Sequence, residues 1–289
     1  MTISIVNMAP TTEKLQAVVY QVRRDIVRMV HGCQSGHPGG SLGCTELLVA
    51  LYHEVMTHNP AFEADGIGED LFFLSNGHIS PVWYSVLAHA GYFPKAELAT
   101  FRKLNSRVQG HPATHEGLPG IRVASGSLGQ GISVAIGAAQ AKKLNHDDKL
   151  VYVLTGDGEL QEGQNWEAIM YAAHNKVNNL VLIVDYNGQQ IDGPVDKINT
   201  LGNLKAKMEA FGWNVLDQPN GNDLAAIIES LAEAKTLLAE TKPVVILLKT
   251  EMGNGVDFMM NSHKWHGIAP NDEQLATALA QNPETLGDY

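Results

Sequence analysis

Two polar residues draw attention because each closes an apolar, β-branched run. Asp157 follows VYVLTG in the segment 151–158, and Asn187 ends LVLIVDYN in the segment 180–187. Such runs read as parallel strands buried on both faces. The segment between them, about Gly163 to Asn175, reads as a helix, so the three pieces form a βαβ unit. In that unit the two carboxyl ends point the same way and lie roughly 5 Å apart. A carboxylate and an amide oxygen placed there could hold one hard cation. Mg²⁺ prefers oxygen ligands and keeps positions free for a phosphate group. Gly156 and Gly158 would let backbone amides approach that phosphate. Taken alone, Gly-Asp-Gly is a common turn.

A second feature is ASGSLGQGIS at 124–133, a glycine-rich loop that leads into a helix. It matches neither the dinucleotide nor the Walker pattern. Close helix–strand packing and close backbone contact with a ligand both account for it. Three histidines each follow a glycine directly: His37 in SGHPGG, His78 in SNGHIS and His111 in QGHPAT. One such histidine is an ordinary turn residue. Three of them outside apolar faces suggest a polar pocket lined by imidazoles, which bond hydroxyls and move protons near neutral pH. WHG at 265–267 adds His266, and the nearby His263 reads equally as a solvated surface residue.

Other chemistries fail on spacing or composition. The histidines of HEVMTH (53–58) are five apart, which turns them roughly 140° from one another on a helix and off one metal-binding face. No GxSxG elbow occurs, and neither cysteine stands beside an obvious base. With 31 acidic against 20 basic residues, net charge −11, no basic stripe is available for nucleic acid. No apolar run approaches the roughly 18 residues of a membrane span. MTISIVNMAPTTEK lacks the charged start and apolar stretch of a secretory signal. Cys33 and Cys44 cannot staple 289 residues and read as reduced thiols of a cytoplasmic protein.

The remaining segments supply the scaffold. At 44% hydrophobic and 18% charged, the chain can bury a substantial core. Residues 12–31 read as a helix, with Thr11 or Thr12 as its cap, and 31–43 as a loop broken by glycines and Pro38. A helix over about Thr45 to Met56 follows, then a short strand in 70–78 and a helix opened by Pro81. Helices are expected over 131–145, 203–211 and 222–240, and a third buried strand over 243–250. The residues after 270 read as a polar tail. The expected architecture is an α/β fold: one doubly wound parallel sheet with helices on both faces and ligands at the carboxyl ends of its strands.

Taken in order, SGHPGGSLG, LSNGH, GHP, GSLGQGIS, GDGELQEG with the later Asn187, and WHG resemble the transketolase family over nearly the whole chain. The resemblance implies thiamine diphosphate and Mg²⁺ as cofactors, with Ca²⁺ or Mn²⁺ as substitutes. Asp157 and Asn187 match the metal ligands, and Gln189 a residue that offers its backbone carbonyl. Gly156, Gly158 and Glu159 match the segment around the diphosphate, with Gly158 a backbone donor to it. Gly126, Ser127 and Leu128 match the loop at the aminopyrimidine. His37, His78 and His266 match histidines around the diphosphate and the donor sugar, and His111 one that contacts sugar hydroxyls near the reacting carbon. Glu162 matches a glutamate that reaches across the dimer interface into a carboxylate network.

A full transketolase is more than twice as long as this chain. The resemblance therefore makes residues 1–289 a single diphosphate-binding domain. The pyrimidine-binding and C-terminal domains, with the cofactor-activating glutamate, are expected on a partner subunit, in an α₂β₂ assembly. Together the two would move a two-carbon ketol unit between sugar phosphates, as in the pentose phosphate pathway. The alternatives are half of a deoxyxylulose-phosphate synthase or 2-oxo acid dehydrogenase, a transketolase for branched or sulfonated sugars, and a non-catalytic regulatory subunit.

Overall fold

The computed structural model describes residues 9–289, with side chains from Thr12 onward. The part of the signal-peptide reading that rests on residues 1–8 lies outside the described residues. Seven strands occur: β1 (Leu71–Leu74), β2 (Val151–Gly156), β3 (Leu180–Asp185), β4 (Gln189–Gln190), β5 (Gly193–Pro194), β6 (Asn214–Gln218) and β7 (Val244–Leu248). Five of them form one parallel sheet in the order β1-β2-β3-β7-β6, while β4 and β5 make a small antiparallel hairpin. The α-helices are α1 (Ala9–Cys33), α2 (Pro38–Gly43), α3 (Thr45–Ala50), α4 (Ser80–His89), α5 (Gly131–Leu144), α6 (Gly163–His174), α7 (Val195–Ile198), α8 (Leu204–Ala210), α9 (Leu224–Leu237) and α10 (Asp272–Gln281).

The sheet is buried on both sides because its central strands are apolar except at their carboxyl ends, Thr155, Gly156 and Asp185. Phe72, Leu74, Tyr152, Leu154, Val181, Ile183, Val244 and Ile246 face a core built with α1, α3, α4 and α9. Their neighbours Leu71, Phe73, Val151, Val153, Leu182, Val184, Val245 and Leu247 face a second core built with α5, α6 and α8. After β1 the chain passes to α4 on one face, and after β2 to α6 on the other. The loops diverge there, which opens a crevice at the carboxyl edge where ligands of such sheets bind. The register levels Gly156 with Asp185, and Asp185 with Leu248, so the polar residues just beyond them share that edge.

Several local expectations change. Helix α1 runs to Cys33, and 38–43 is a short helix, not loop. Pro38 takes a first-turn position, where its missing N–H costs nothing. The glycines serve close packing: a Cβ on Gly39 would lie 2.8 Å from the Trp265 carbonyl oxygen. The chain is already helical at Ala9, so Thr11 and Thr12 fall inside α1 instead of capping it. The helix from Thr45 ends in a π-helical turn, Leu51–Val55. The polar tail contains α10, started by a capping box between Asn271 and Gln274. Beyond it, Asp288 accepts from Arg24 Nη2 at 2.7 Å, which fastens the segment to α1. Strand β6 went unpredicted because it is a half-buried edge strand without an apolar run. Among the described residues no helix is long and apolar enough to cross a membrane.

Helix α5 begins hard against β1. A Cβ on Gly131 would lie within 2.7 Å of the Ser75 Cα, a backbone atom that cannot turn aside. Gly131→Ala should therefore cost about 1–3 kcal/mol of stability. Urea unfolding that gives equal midpoints for the two proteins would contradict this packing.

Candidate functional site

The carboxyl ends of β2 and β3 carry two buried carboxylates. Asp157, just after β2, accepts the backbone N–H groups of Gly158 (2.7 Å) and Gly188 (2.6 Å). Asp185, the last residue of β3, accepts from the Asn187 side-chain amide at 2.8 Å, from the Thr250 hydroxyl and from the Cys44 thiol. Burial, and then the neighbouring Asp185 charge, push Asp157 up to about 7. Burial also raises Asp185. Neither is ion-paired among the described residues. The amide of Asn187 is oriented at both ends, since its oxygen accepts the Gln189 N–H at 2.8 Å. Gln189 starts the β4–β5 hairpin, which packs beside the 3₁₀ turn His263–His266.

Glu159 ties three segments together. Its buried carboxylate accepts the Ser75 hydroxyl beyond β1, the Gly129 N–H at 2.9 Å and the Gly156 N–H at 3.1 Å. Gly131 N–H bonds the same Ser75 hydroxyl at 3.1 Å. One side chain thus sets the glycine-rich loop against the ends of β1 and β2. Gly126 has φ +117° and lies so close to His111 that a Cβ would run into the imidazole.

Four histidines meet on the wall above. Ring centroids are 5.0 Å apart for His37–His78, 5.5 Å for His37–His266, 5.0 Å for His78–His266 and 6.2 Å for His37–His111. They come from four separate segments: the start of α2, the turn after β1, the loop before residue 112 and the His263–His266 turn. Burial, and secondly the other imidazoles, lower His37 to about 4 and His78 well below its ordinary value. His111 and His266 are lowered as well, mainly by burial. The cluster is therefore neutral at pH 7, able both to accept and to donate.

These parts enclose a cavity of about 360 Å³, inside the usual range of ligand pockets. Its lining includes His37, His78, His111, His266, Gly126, Leu128, Gly156, Asp157, Gly158, Glu159, Glu162, Asn187 and Gln189. Of the expected site residues, only Ser127 does not line it; its carbonyl accepts the Gln130 N–H at 3.3 Å. Glu162 is exposed at the rim, at the start of α6. Two buried lining atoms have no hydrogen-bond partner, His37 Nδ1 and Asn76 Oδ1. Among the described residues no three His, Cys, Asp or Glu side chains are placed to hold a metal by themselves.

Comparison with known proteins agrees with this geometry. The family model described as transketolase, thiamine diphosphate binding domain, matches residues 15–284. The chain belongs to the transketolase family. One subunit of the apulose-4-phosphate transketolase of Actinobacillus succinogenes is 35% identical over 93% of this chain and 96% of its own. The 6-deoxy-6-sulfo-D-fructose transketolase subunit SqwG of a Clostridium species is 38% identical over 85% of this chain and 88% of its own. Among solved structures, the transketolase of Campylobacter jejuni superposes with a TM-score of 0.86 at 35% identity, covering 93% of this chain and 43% of that one. The chain thus spans nearly the full length of the subunit relatives, and less than half of the longer transketolase.

Some residues of this transketolase site escaped sequence reading. Asp185 and Thr250, which orient Asn187 directly or through each other, were missed. The available signal was a charged residue closing the otherwise apolar LVLIVD. Asn76 and Met252, also in the lining, carry no such signal.

The neutral cluster has a consequence for stability. The folded state holds His37 near 4, against 6.5 when unperturbed. Below that higher value the unfolded chain takes up the proton first, so stability is lost as pH falls from 6.5 toward 4. His37→Gln, uncharged throughout, should show a shallower fall of Tm across that window. Parallel Tm curves for the two proteins would refute the assignment.

Proposed function

We propose that this chain is the diphosphate-binding subunit of a two-chain transketolase, which moves a two-carbon ketol unit from a ketose phosphate to an aldose phosphate. The observation that carries the reading is one cleft shared by an oxygen-donor floor, Asp157 and Asn187, and a wall of four neutral histidines. The relatives named as subunits match this chain nearly end to end, which supports a separate partner chain bearing the pyrimidine-binding domain. An α₂β₂ assembly follows from the paired active sites of the family. Two unpaired cysteines suit a reducing, cytoplasmic setting.

The residues fit the implied cofactors. A carboxylate, an amide oxygen and the Gln189 backbone carbonyl make an all-oxygen set suited to Mg²⁺. Two adjacent buried carboxylates without a counter-ion are the environment that a cation would relieve. A Cβ on Gly156 would meet nothing nearer than 4.0 Å, which leaves room for a phosphate, and His37 and Asn76, each with a buried unpartnered atom, line the same cleft. Bound thiamine diphosphate supplies the nucleophilic carbon that receives the two-carbon unit.

This chain's own work is binding, orientation and proton movement. Asp157, Asn187 and Gln189 would hold the metal, and Gly158 would donate to the diphosphate. Gly126 and Leu128 would meet the aminopyrimidine. His37, His78 and His266 would bond donor hydroxyls, and His111, the most exposed of the four, would exchange a proton with the substrate oxygen near the reacting carbon. Glu162 at the rim would meet the partner's carboxylates.

A second reading, specialisation for a branched or sulfonated sugar, is favoured by the two subunit relatives, whose names specify apulose 4-phosphate and 6-deoxy-6-sulfo-D-fructose. The acceptor end would then be read mostly by the partner.

One assay tests both readings. This chain mixed with its partner, thiamine diphosphate and Mg²⁺ should convert fructose 6-phosphate and an aldose phosphate, or the sulfonated or branched counterparts. Neither chain should be active without the other. Full activity of this chain by itself, or pyruvate as the preferred donor, would sink the proposal. Asp157→Ala should reduce Mg²⁺-dependent cofactor affinity at least tenfold, about 1.4 kcal/mol. Calorimetry of the two-chain complex returning the wild-type affinity would reject Asp157 as a ligand.

A further inference from the structure

We propose that Arg102 is a positioning residue for the donor-binding histidines, bracing the two loops that carry His37 and His111 and holding a fixed positive charge beside both rings. The role given to those rings rests on the function proposed above. The placement of Arg102 does not.

Arg102 follows the buried Phe101 in a tight loop. Its φ of +57° is unusual for a side chain of this size, and its N–H bonds the Val108 carbonyl at 3.0 Å. That turn sends the guanidinium between two segments. On one side Nη1 donates to the Ser35 hydroxyl at 3.0 Å, two residues before His37. On the other it presses on Gly110, the residue before His111, where a Cβ would come within 2.6 Å of the guanidinium carbon. Only glycine leaves room for the arginine at that position. The two braced histidines have ring centroids 6.2 Å apart. His111 also lines a shallow depression with Cys33, Ser35, Arg102, Gln109 and Gly110, so Arg102 stands behind the cleft wall and not inside the cleft.

The guanidinium lies over the Phe101 ring, 5.6 Å from its centroid. Among the described residues no carboxylate pairs with Arg102, and its buried Nε and Nη2 have no partner. A half-buried cation whose inner nitrogens lack partners carries a desolvation cost. The other titratable groups of the cleft around the two rings are imidazoles and carboxylates. His78 and His266 touch His37. Asp157, Asp185, Glu159 and Glu162 lie on the cleft floor and rim. Asp192 favours the charged form of His266. Of these carboxylates only Asp192 acts on a ring of the cluster, His266, whereas Arg102 is the fixed positive charge that acts on both His37 and His111. It lowers His111 after the larger effect of burial, and His37 after burial and the neighbouring His266. A ring kept neutral can accept a proton from a sugar hydroxyl.

The test uses the full chain, with imidazole resonances of His37 and His111 followed by NMR through the acid range. In the wild type both midpoints should fall below the ordinary 6.5. In Arg102→Gln both should rise. In Arg102→Lys, which keeps the charge but not the fork, the midpoints should stay near wild type. In the two-chain complex, Arg102→Gln should move the acid limb of kcat/KM for the donor upward while thiamine diphosphate affinity is unchanged. Unmoved midpoints in a folded Arg102→Gln chain overturn the proposal. So do wild-type midpoints at or above 6.5, a measurement that needs no variant. The NMR titration contains no substrate, so a failure of the transketolase reading would show separately, as absent ketol transfer with midpoints shifted as expected.

Discussion

Two buried carboxylates at the ends of neighbouring parallel strands govern the arrangement of this chain. Asp157 and Asp185 leave water together, and each makes the other's charge harder to hold. The fold answers with donors from separate segments: the amides of Gly158 and Gly188, the side chain of Asn187, the Thr250 hydroxyl and the Cys44 thiol. Satisfying those oxygens fixes the loops after β2, β3 and β7 relative to α3, which follows Cys44. The same constraint that orders the loops leaves the floor anionic, with no ion pair to either carboxylate among the described residues.

The cleft divides its electrostatics by height. Its floor is anionic and rigid, and Glu159 extends that rigidity to the glycine-rich loop through Ser75 and Gly129. Its wall is made of imidazoles held neutral by burial and by one another. A metal-bound diphosphate suits the floor and hydroxylated carbon the wall. The charge of Arg102, placed behind the wall, acts in the same direction as the burial that keeps His37 and His111 neutral.

Much of this was legible in residue order. Buried strands announce themselves as β-branched runs, and Asp157 and Asn187 were found because polar residues close such runs. The glycine-histidine pairs were equally plain. Where glycine and proline were read as breakers, over 31–43, only 34–37 is loop: α1 runs on to Cys33, Pro38 starts a helix, and Gly39 serves close approach to Met252 and Trp265. Residues 272–281 carry a weak apolar stripe, and their helix is fastened by contacts to α1, as far away in sequence as the chain allows. Arg102 carried no signal at all, because its meaning lies in Ser35 and Gly110 and in the absence of a carboxylate nearby.

Sequence by itself determined the βαβ unit, the doubly wound sheet and the identity of most cleft residues, because periodicity and strand-ending polar residues are local properties. Tertiary structure decided which groups share an environment. It brought three histidines, from segments up to 229 positions away, within about 6 Å of His37, and it buried Asp185 beside Asp157. Proton affinity depends on distance and dielectric, not on neighbours along the chain. The charge state of the site therefore came only with the packing.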